Sequence, residues 1–255
     1  MTVLAGNTLR AVASGSLSFL FWGCLLSDIE WIYSEDPVEY CDAVSFMRDR
    51  VKGILSGSSP ECVWSLEHPS VYTSGLSANP NDLLDSDRFL VCRTSRGGAY
   101  TYHGPGQRVV YLMLDLRNSQ VDVRGYVAGL EDWVIRTLAS CGVSGERRQG
   151  YVGVWVQQNQ GKTLSSELTS QKNKIAAIGI RMQRWVTSHG VAINVNPNLE
   201  HFKGIIPCGI TDWGVTSLAD LGVEVSMNEL DLLLRREFDP LIAFTTSTGQ
   251  KAQKT

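Results

Sequence analysis

The chain has 255 residues, of which 43% are hydrophobic and 19% charged, and its formal net charge is −3. That length fits one large domain with a generous core. The weakly acidic balance excludes a nucleic-acid binder, which needs a basic face against phosphate, so any acidic partner must be met by a local patch.

Met1–Leu26 differs in character from the rest of the chain. Its apolar run, Leu17–Leu26, is too short to span a bilayer. Residues 1–27 read first as a mis-called start or a disordered extension, second as a packed N-terminal segment and third as a targeting signal. Val38–Leu55 carries apolar residues at mostly helical spacing. Cys62–Leu66 reads as a short apolar strand. Glu67-His68-Pro69 enters a loop, because the residue before proline is pushed out of helical geometry, and His68 reads as a loop or core histidine. Asn79–Asp87 is turn material. Phe89–Arg93, Ala99–His103 and Arg108–Leu116 read as strands, the last buried on both faces. Val123–Cys141 repeats apolar residues as an amphipathic helix does, and Tyr151–Val156 is a strand. Gln157–Asn173 is wholly polar and reads as a long exposed hairpin tip. Lys174–Arg181 and Gly190–Val195 are two further strands. Glu200–Ile206 is a turn or short helix, Ser226–Phe238 a closing helix, and 241–255 a polar tail. Neither a repeat nor an interdomain linker is visible, so 28–240 forms one domain.

Arg96–Gln107 (RGGAYTYHGPGQ) sets glycines at 97, 98, 104 and 106 around one histidine, between two strands. Glycine serves there either for positive φ in a hairpin corner or for close approach of a ligand to backbone. Six cysteines (Cys24, Cys41, Cys62, Cys92, Cys141 and Cys208) and four histidines (His68, His103, His189 and His201) show no CxxC pair and no metal-ligand spacing. No metal is expected. Most of the cysteines read as small core fillers in a reducing compartment. Cys208 is the exception, because Pro207-Cys208-Gly209 is built like a nucleophile turn: proline fixes φ ahead of the sulfur, and glycine lets an N–H approach an oxygen bound there. Lys174 opens an otherwise apolar strand, where a lysine is commonly a solvated edge residue. Together the two make chemical sense. Only a thiolate attacks well. An ammonium about 4 Å away stabilises that thiolate by roughly 4 kcal/mol at an effective dielectric of 20, and it can return a proton to a leaving group.

The segments RGGAYTYHGPGQ (96–107), KIAAIG (174–179), HGVAINV (189–195) and PCGI (207–210) resemble, in that order, the lipoyl(octanoyl) transferase family. HPSVYTSG (68–75) and TSLADLG (216–222) fit as well. The resemblance implies a single α/β (α+β) domain with a mixed sheet and flanking helices, shared with biotin and lipoate protein ligases. It implies octanoyl transfer from acyl carrier protein to a lysine of lipoyl domains, those of 2-oxoacid dehydrogenase complexes and the glycine cleavage H protein. Cys208 matches the acylated nucleophile and Lys174 the residue that lowers its pKa. Arg96, Gly97, Gly98, Ala99, Tyr100, Thr101, Tyr102 and His103 match the main substrate-binding loop. Ala177, Ile178 and Gly179, with Gly190, Val191 and Ala192, complete the pocket. His103 is expected to orient the thioester, donate to the oxyanion or make a structural hydrogen bond, and Arg96 to anchor the loop or meet phosphopantetheine.

No cofactor is implied, since a thioester arrives activated. The expected protein is a cytoplasmic monomer without nucleic-acid or membrane partners. Arg147, Arg148, Arg181 and Arg184 are candidates for a basic patch facing acidic carrier and acceptor. Two departures stand out: the 157–173 insertion before Lys174, and residues 1–27. An ATP-dependent ligase on the same fold is the alternative reading, and Cys208 counts against it. A cysteine hydrolase and a non-catalytic lipoyl-domain binder are further alternatives.

Overall fold

A computed structural model describes residues 29–119, 121–158, 171–206 and 214–238. In chain order the elements are β1 (Glu30–Tyr33), α1 (Tyr40–Ser56), β2 (Cys62–Leu66), β3 (Val71–Ser74), β4 (Leu90–Arg93), β5 (Tyr100–His103) and β6 (Gln107–Met113). They continue with α2 (Val123–Ser140), β7 (Gly145–Arg148), β8 (Tyr151–Gln158), β9 (Gln171–Gln183), β10 (Val186–Asn194) and α3 (Met227–Arg236). A mixed seven-stranded sheet runs β1-β2-β6-β10-β9-β8-β7, and a second sheet runs β4-β3-β5. Only β1–β2 is parallel in the large sheet, and α1 supplies the crossover between them.

Strand alternation decides which face each helix covers. Cys62, Trp64 and Leu66 of β2 and Val109, Tyr111 and Met113 of β6 pack with Ala43, Met47, Val51 and Ile54 of α1. Their neighbours Val63, Val110 and Leu112 pack on the opposite face with Leu130, Trp133 and Leu138 of α2 and Leu230 and Leu234 of α3. The smaller sheet has its own aromatic core of Tyr72, Tyr100 and Tyr102, closed by Phe202 and Ile205.

Polar groups fix the helix ends. Asp122 caps α2 by accepting from Gly125 N at 2.7 Å. Ser226 and Glu229 form a reciprocal capping box at the start of α3. A buried ion pair, Arg108–Asp231 at 3.0 Å, joins β6 to α3. Burial nevertheless raises the Asp231 carboxyl to about 6, with Arg108 opposing the rise.

Several expectations change in detail. β1, β3 and β7 are strands that the sequence pattern did not announce. The Gln157–Asn173 segment is not an exposed tip throughout: Gln157 pairs with Lys172 in the β8–β9 ladder, and Asn173 is buried. Residues 159–170 lie outside the described residues. Cys62 is the buried core filler expected, and burial pushes its thiol up to about 12. Cys41 is instead exposed, while Cys92 and Cys141 are half-buried. Among the described residues no helix is long and apolar enough to cross a membrane. The expectations for 1–27, 241–255 and Cys208 lie outside the described residues.

Candidate active site

A slot opens where two layers cannot touch. β9 and β10 pair antiparallel with Ala177 opposite Ala192 and Gly179 opposite Gly190, so small residues cluster on one patch of the sheet. The Arg96–His103 segment passes over that patch. A Cβ on Gly179 would lie 3.2 Å from both Arg96 Cδ and the Gly97 oxygen, so glycine is what admits the loop. Gly97 N donates to Ile180 O at 2.9 Å and pins loop to strand. The resulting cleft, about 530 Å³ including its open mouth, is lined by Arg96, Gly98 to Thr101 and His103. Lys174, Ala177 to Gly179 and Gly190 to Ala192 complete that lining among the expected residues. Tyr40, Val109, Tyr111, Val152 and His189 join them.

Two of the expected residues do not line the slot. Gly97 sits in the loop backbone, tied to β9. Tyr102 points into the aromatic core of the small sheet, fully buried, its hydroxyl 3.0 Å from Ser70 Oγ and 2.7 Å from His201 Nδ1. Alternation along β5 explains this, since Thr101 and His103 turn toward the slot and Tyr102, between them, turns to the opposite face. Arg96 anchors the loop: its Nη2 donates to Thr73 O at 2.9 Å and Thr73 Oγ1 at 2.7 Å, and its Nη1 to Gly97 O at 2.9 Å.

One end of the slot is closed by a buried cluster of uncharged polar rings. His68 Nδ1 donates to Val38 O at 2.6 Å, which leaves Nε2 to accept from the Tyr111 hydroxyl at 2.7 Å. Tyr40 stacks on His103 at 6.1 Å between centroids. The Gln107 amide nitrogen donates to Tyr102 O and to Asn194 Oδ1, so its oxygen accepts from His103 Nδ1 at 2.7 Å. His103 Nε2 is therefore the unprotonated ring nitrogen, an acceptor and not an oxyanion donor. Burial, reinforced by neighbouring His68, holds the His103 pKa well below the usual histidine value. Burial likewise lowers His68 to about 4. His189 falls to about 4, by burial and then by the nearby charges of Arg96 and Arg181.

Lys174 brings an amine into the lining. Ala177 and Gly179 face the slot, so strict alternation would send Ile175 there too and Lys174 into the helix-covered core. A β-bulge prevents that. Val154 pairs with Ala176 but Trp155 with Lys174, and Ile175 and Ala176 both pack into the α2-side core. The extra residue turns Lys174 onto the slot face, beside Trp155. Its Nζ lies 4.8 Å from the Trp155 ring centroid and donates to Val152 O at 3.0 Å. Lys174 is buried at 7% exposure, whereas the sequence alone left open a solvated edge lysine. Its N–H donates to Gly214 O at 2.9 Å, and its carbonyl accepts from Thr216 N at 3.0 Å.

The four arginines offered for a basic patch are mostly engaged. Arg147 pairs with Glu131 and Asp132. Arg148 lies over Tyr151 and Trp155, and Arg181 donates to Ser95. Arg184 occupies a positive-φ corner between β9 and β10. Tyr40, Tyr111 and Val152 had no sequence signal, since nothing local places them beside the loop. His68, read as a loop or core histidine, is fully buried, and His189 lay inside HGVAINV.

Residues 39–239 match the family model described as the lipoyl protein ligase A/B catalytic domain. The chain belongs to that family. An octanoyltransferase of Dinoroseobacter shibae is 55% identical over 212 residues, covering 83% of this chain and 96% of the relative. One of Paramagnetospirillum magneticum is 52% identical over 210 residues, covering 82% and 95%. A solved lipoate-protein ligase A bound with ATP shares the fold at a TM-score of 0.61 and 15% identity, over 82% of this chain and 84% of that one. A putative lipoate protein ligase from T. acidophilum with bound lipoic acid shares it at 0.59 and 16% identity, over 84% and 86%. The expected α/β domain with a mixed sheet is thus the fold of this family, and the chain is an acyltransferase.

Proposed function

We propose that this acyltransferase moves an octanoyl group from acyl carrier protein to a lysine of lipoyl domains through a thioester on Cys208. The observation that carries the reading is the placement of one buried amine, Lys174, in the lining of a slot that Ala177, Gly179 and Ala192 also wall. In the first half-reaction Lys174 takes the Cys208 thiol proton and the thiolate attacks the octanoyl carbonyl carbon. The carbon–sulfur bond to the carrier breaks, and the carrier thiol leaves with the proton held by Lys174. In the second, the acceptor lysine's amine attacks acyl-Cys208, an amide forms, and the sulfur departs as Lys174 receives the amine's proton. The acyl chain lies along the Ala/Gly floor, where apolar contact holds it. Arg96 shapes the loop over it, and His103 Nε2 is an acceptor facing the bound thioester or the incoming amine.

Cys208 lies outside the described residues, but its flanks support the pairing. Gly214, six residues on, accepts the Lys174 N–H, and Val215 bridges Lys174 in parallel. No nucleotide enters this scheme. The protein is read as a cytoplasmic monomer, with octanoyl-carrier as donor and the lipoyl domains of 2-oxoacid dehydrogenase complexes and glycine cleavage H protein as acceptors.

The test is incubation with octanoyl-carrier, without ATP, followed by peptide mass spectrometry. A gain of one octanoyl group at Cys208, released by hydroxylamine and absent from Cys208→Ser, is expected. An unmodified Cys208, or octanoyl transfer from free octanoate that needs ATP, defeats the reading.

A further inference from the structure

We propose that Glu131 is a positioning residue for Lys174, acting through a single peptide group. The inference rests on the acyl-transfer reading of Lys174 and adds a residue to it. The group is the amide joining Val152 to Gly153. Its carbonyl accepts from Lys174 Nζ at 3.0 Å, and its N–H donates to Glu131 Oε1 at 3.0 Å. The second carboxylate oxygen of Glu131 lies 3.4 Å from Arg147 Nε.

Three features make this an arrangement rather than a chance contact. First, the β8–β9 ladder starts at Val154, opposite Ala176, so the Val152–Gly153 amide stands outside it and its two polar groups are available. Second, Gly153 has φ +125, and a Cβ there would lie 2.7 Å from Ala176 O and 3.3 Å from Lys174 Cε. Only glycine turns the amide this way and leaves the lysine stem its room. Third, Glu131 is buried at 8% exposure on α2, between Leu130 and the Trp133–Val134 pair of the core. A carboxylate placed there is costly to desolvate unless it is hydrogen-bonded.

Carboxylate on the N–H and ammonium on the C=O polarise the amide in the same sense, so each bond strengthens the other. Without Glu131 the amide loses its outer anchor, and the glycine lets it rotate. The long lysine side chain then recovers rotamers that do not face the slot.

The experiment measures single-turnover acylation of Cys208 in the full chain with thiophenyl octanoate, whose good leaving group keeps weak variants measurable. Glu131→Leu is expected to slow acylation about ten- to thirty-fold, the scale of one charge-assisted hydrogen bond. The same substitution in a Lys174→Met background should cost less than about two-fold, because interacting sites are not additive. Glu131→Gln, which keeps an acceptor for Gly153 N–H, should stay within about three-fold of wild type. If Glu131→Leu does not fold, Glu131→Asp replaces it; it keeps the charge but falls one methylene short, and about ten-fold slowing is expected. Equal slowing in both backgrounds, or Gln as slow as Leu or Asp, overturns the proposal. Wild type that is never acylated removes the acyl-transfer reading itself, which is a separate and recognisable failure.

Discussion

Two parts of the slot are built from the same sheet face in opposite ways. At the closed end Tyr40, His68, His103, Tyr111 and His189 stand together with no formal charge among them, each histidine kept neutral by burial. Elsewhere in the lining a buried amine, Lys174, is held by a carbonyl and an indole face. An acyl chain needs the first environment, and a thiol that must ionise needs the second. The contrast teaches that packing keeps the rings neutral beside the buried Arg96, whereas Lys174 reaches the slot through one backbone irregularity, the bulge at Ile175.

Replacing the charge without its chemistry breaks the comparison hardest. Lys174→Arg keeps the cation but cannot release its proton, so octanoyl transfer should fall about a thousand-fold, within the usual span for a lost acid–base group. Stopped-flow alkylation of Cys208 should show part of the thiolate retained. Turnover within a factor of about three of wild type would leave only electrostatics for Lys174.

Acid attacks the other part. His68 and His189 titrate near 4 when folded against about 6.5 when unfolded, so the unfolded chain binds more protons between those values. Stability is therefore complete above about 6.5 and falls as pH drops toward 4, by about 3 kcal/mol for each ring. Denaturant melts across that window measure it, and a flat profile would contradict neutral buried rings.

The smallest effect sharpens where the slot ends. Tyr102→Phe removes the hydroxyl shared with Ser70 and His201 and should cost about 1 kcal/mol of stability. Octanoyl transfer should be unchanged, because that side chain lies behind the wall. A large rise in KM would return Tyr102 to the substrate surface.

Legibility followed the range of the forces involved. α1, α2 and β6 were readable because their apolar spacing is local and strong. The edge strands were not: Gly145–Arg148 has no apolar residue, Glu30–Tyr33 is half-buried without alternation, and Val71–Ser74 follows a proline that reads as loop. Within the site, the glycine-rich loop and the small residues of β9 and β10 were readable as residue types. Tyr40 and Tyr111 were invisible, since Tyr40 beside His103 and Tyr111 beside His68 and His189 are brought there by α1 and β6 meeting across the fold. Glu131 read as one more charge on a helix.

Periodicity by itself determined one domain of mixed strands and helices and marked the loop at Arg96–His103, the motifs' resemblance implied the α/β fold, and residue types offered an amine and a thiol as the chemistry to look for. Only the tertiary structure decided which way Lys174 points. Its face depends on one extra residue in a ladder whose partner strand is about twenty positions away in sequence, and a strand's own alternation holds no record of where its neighbour slips.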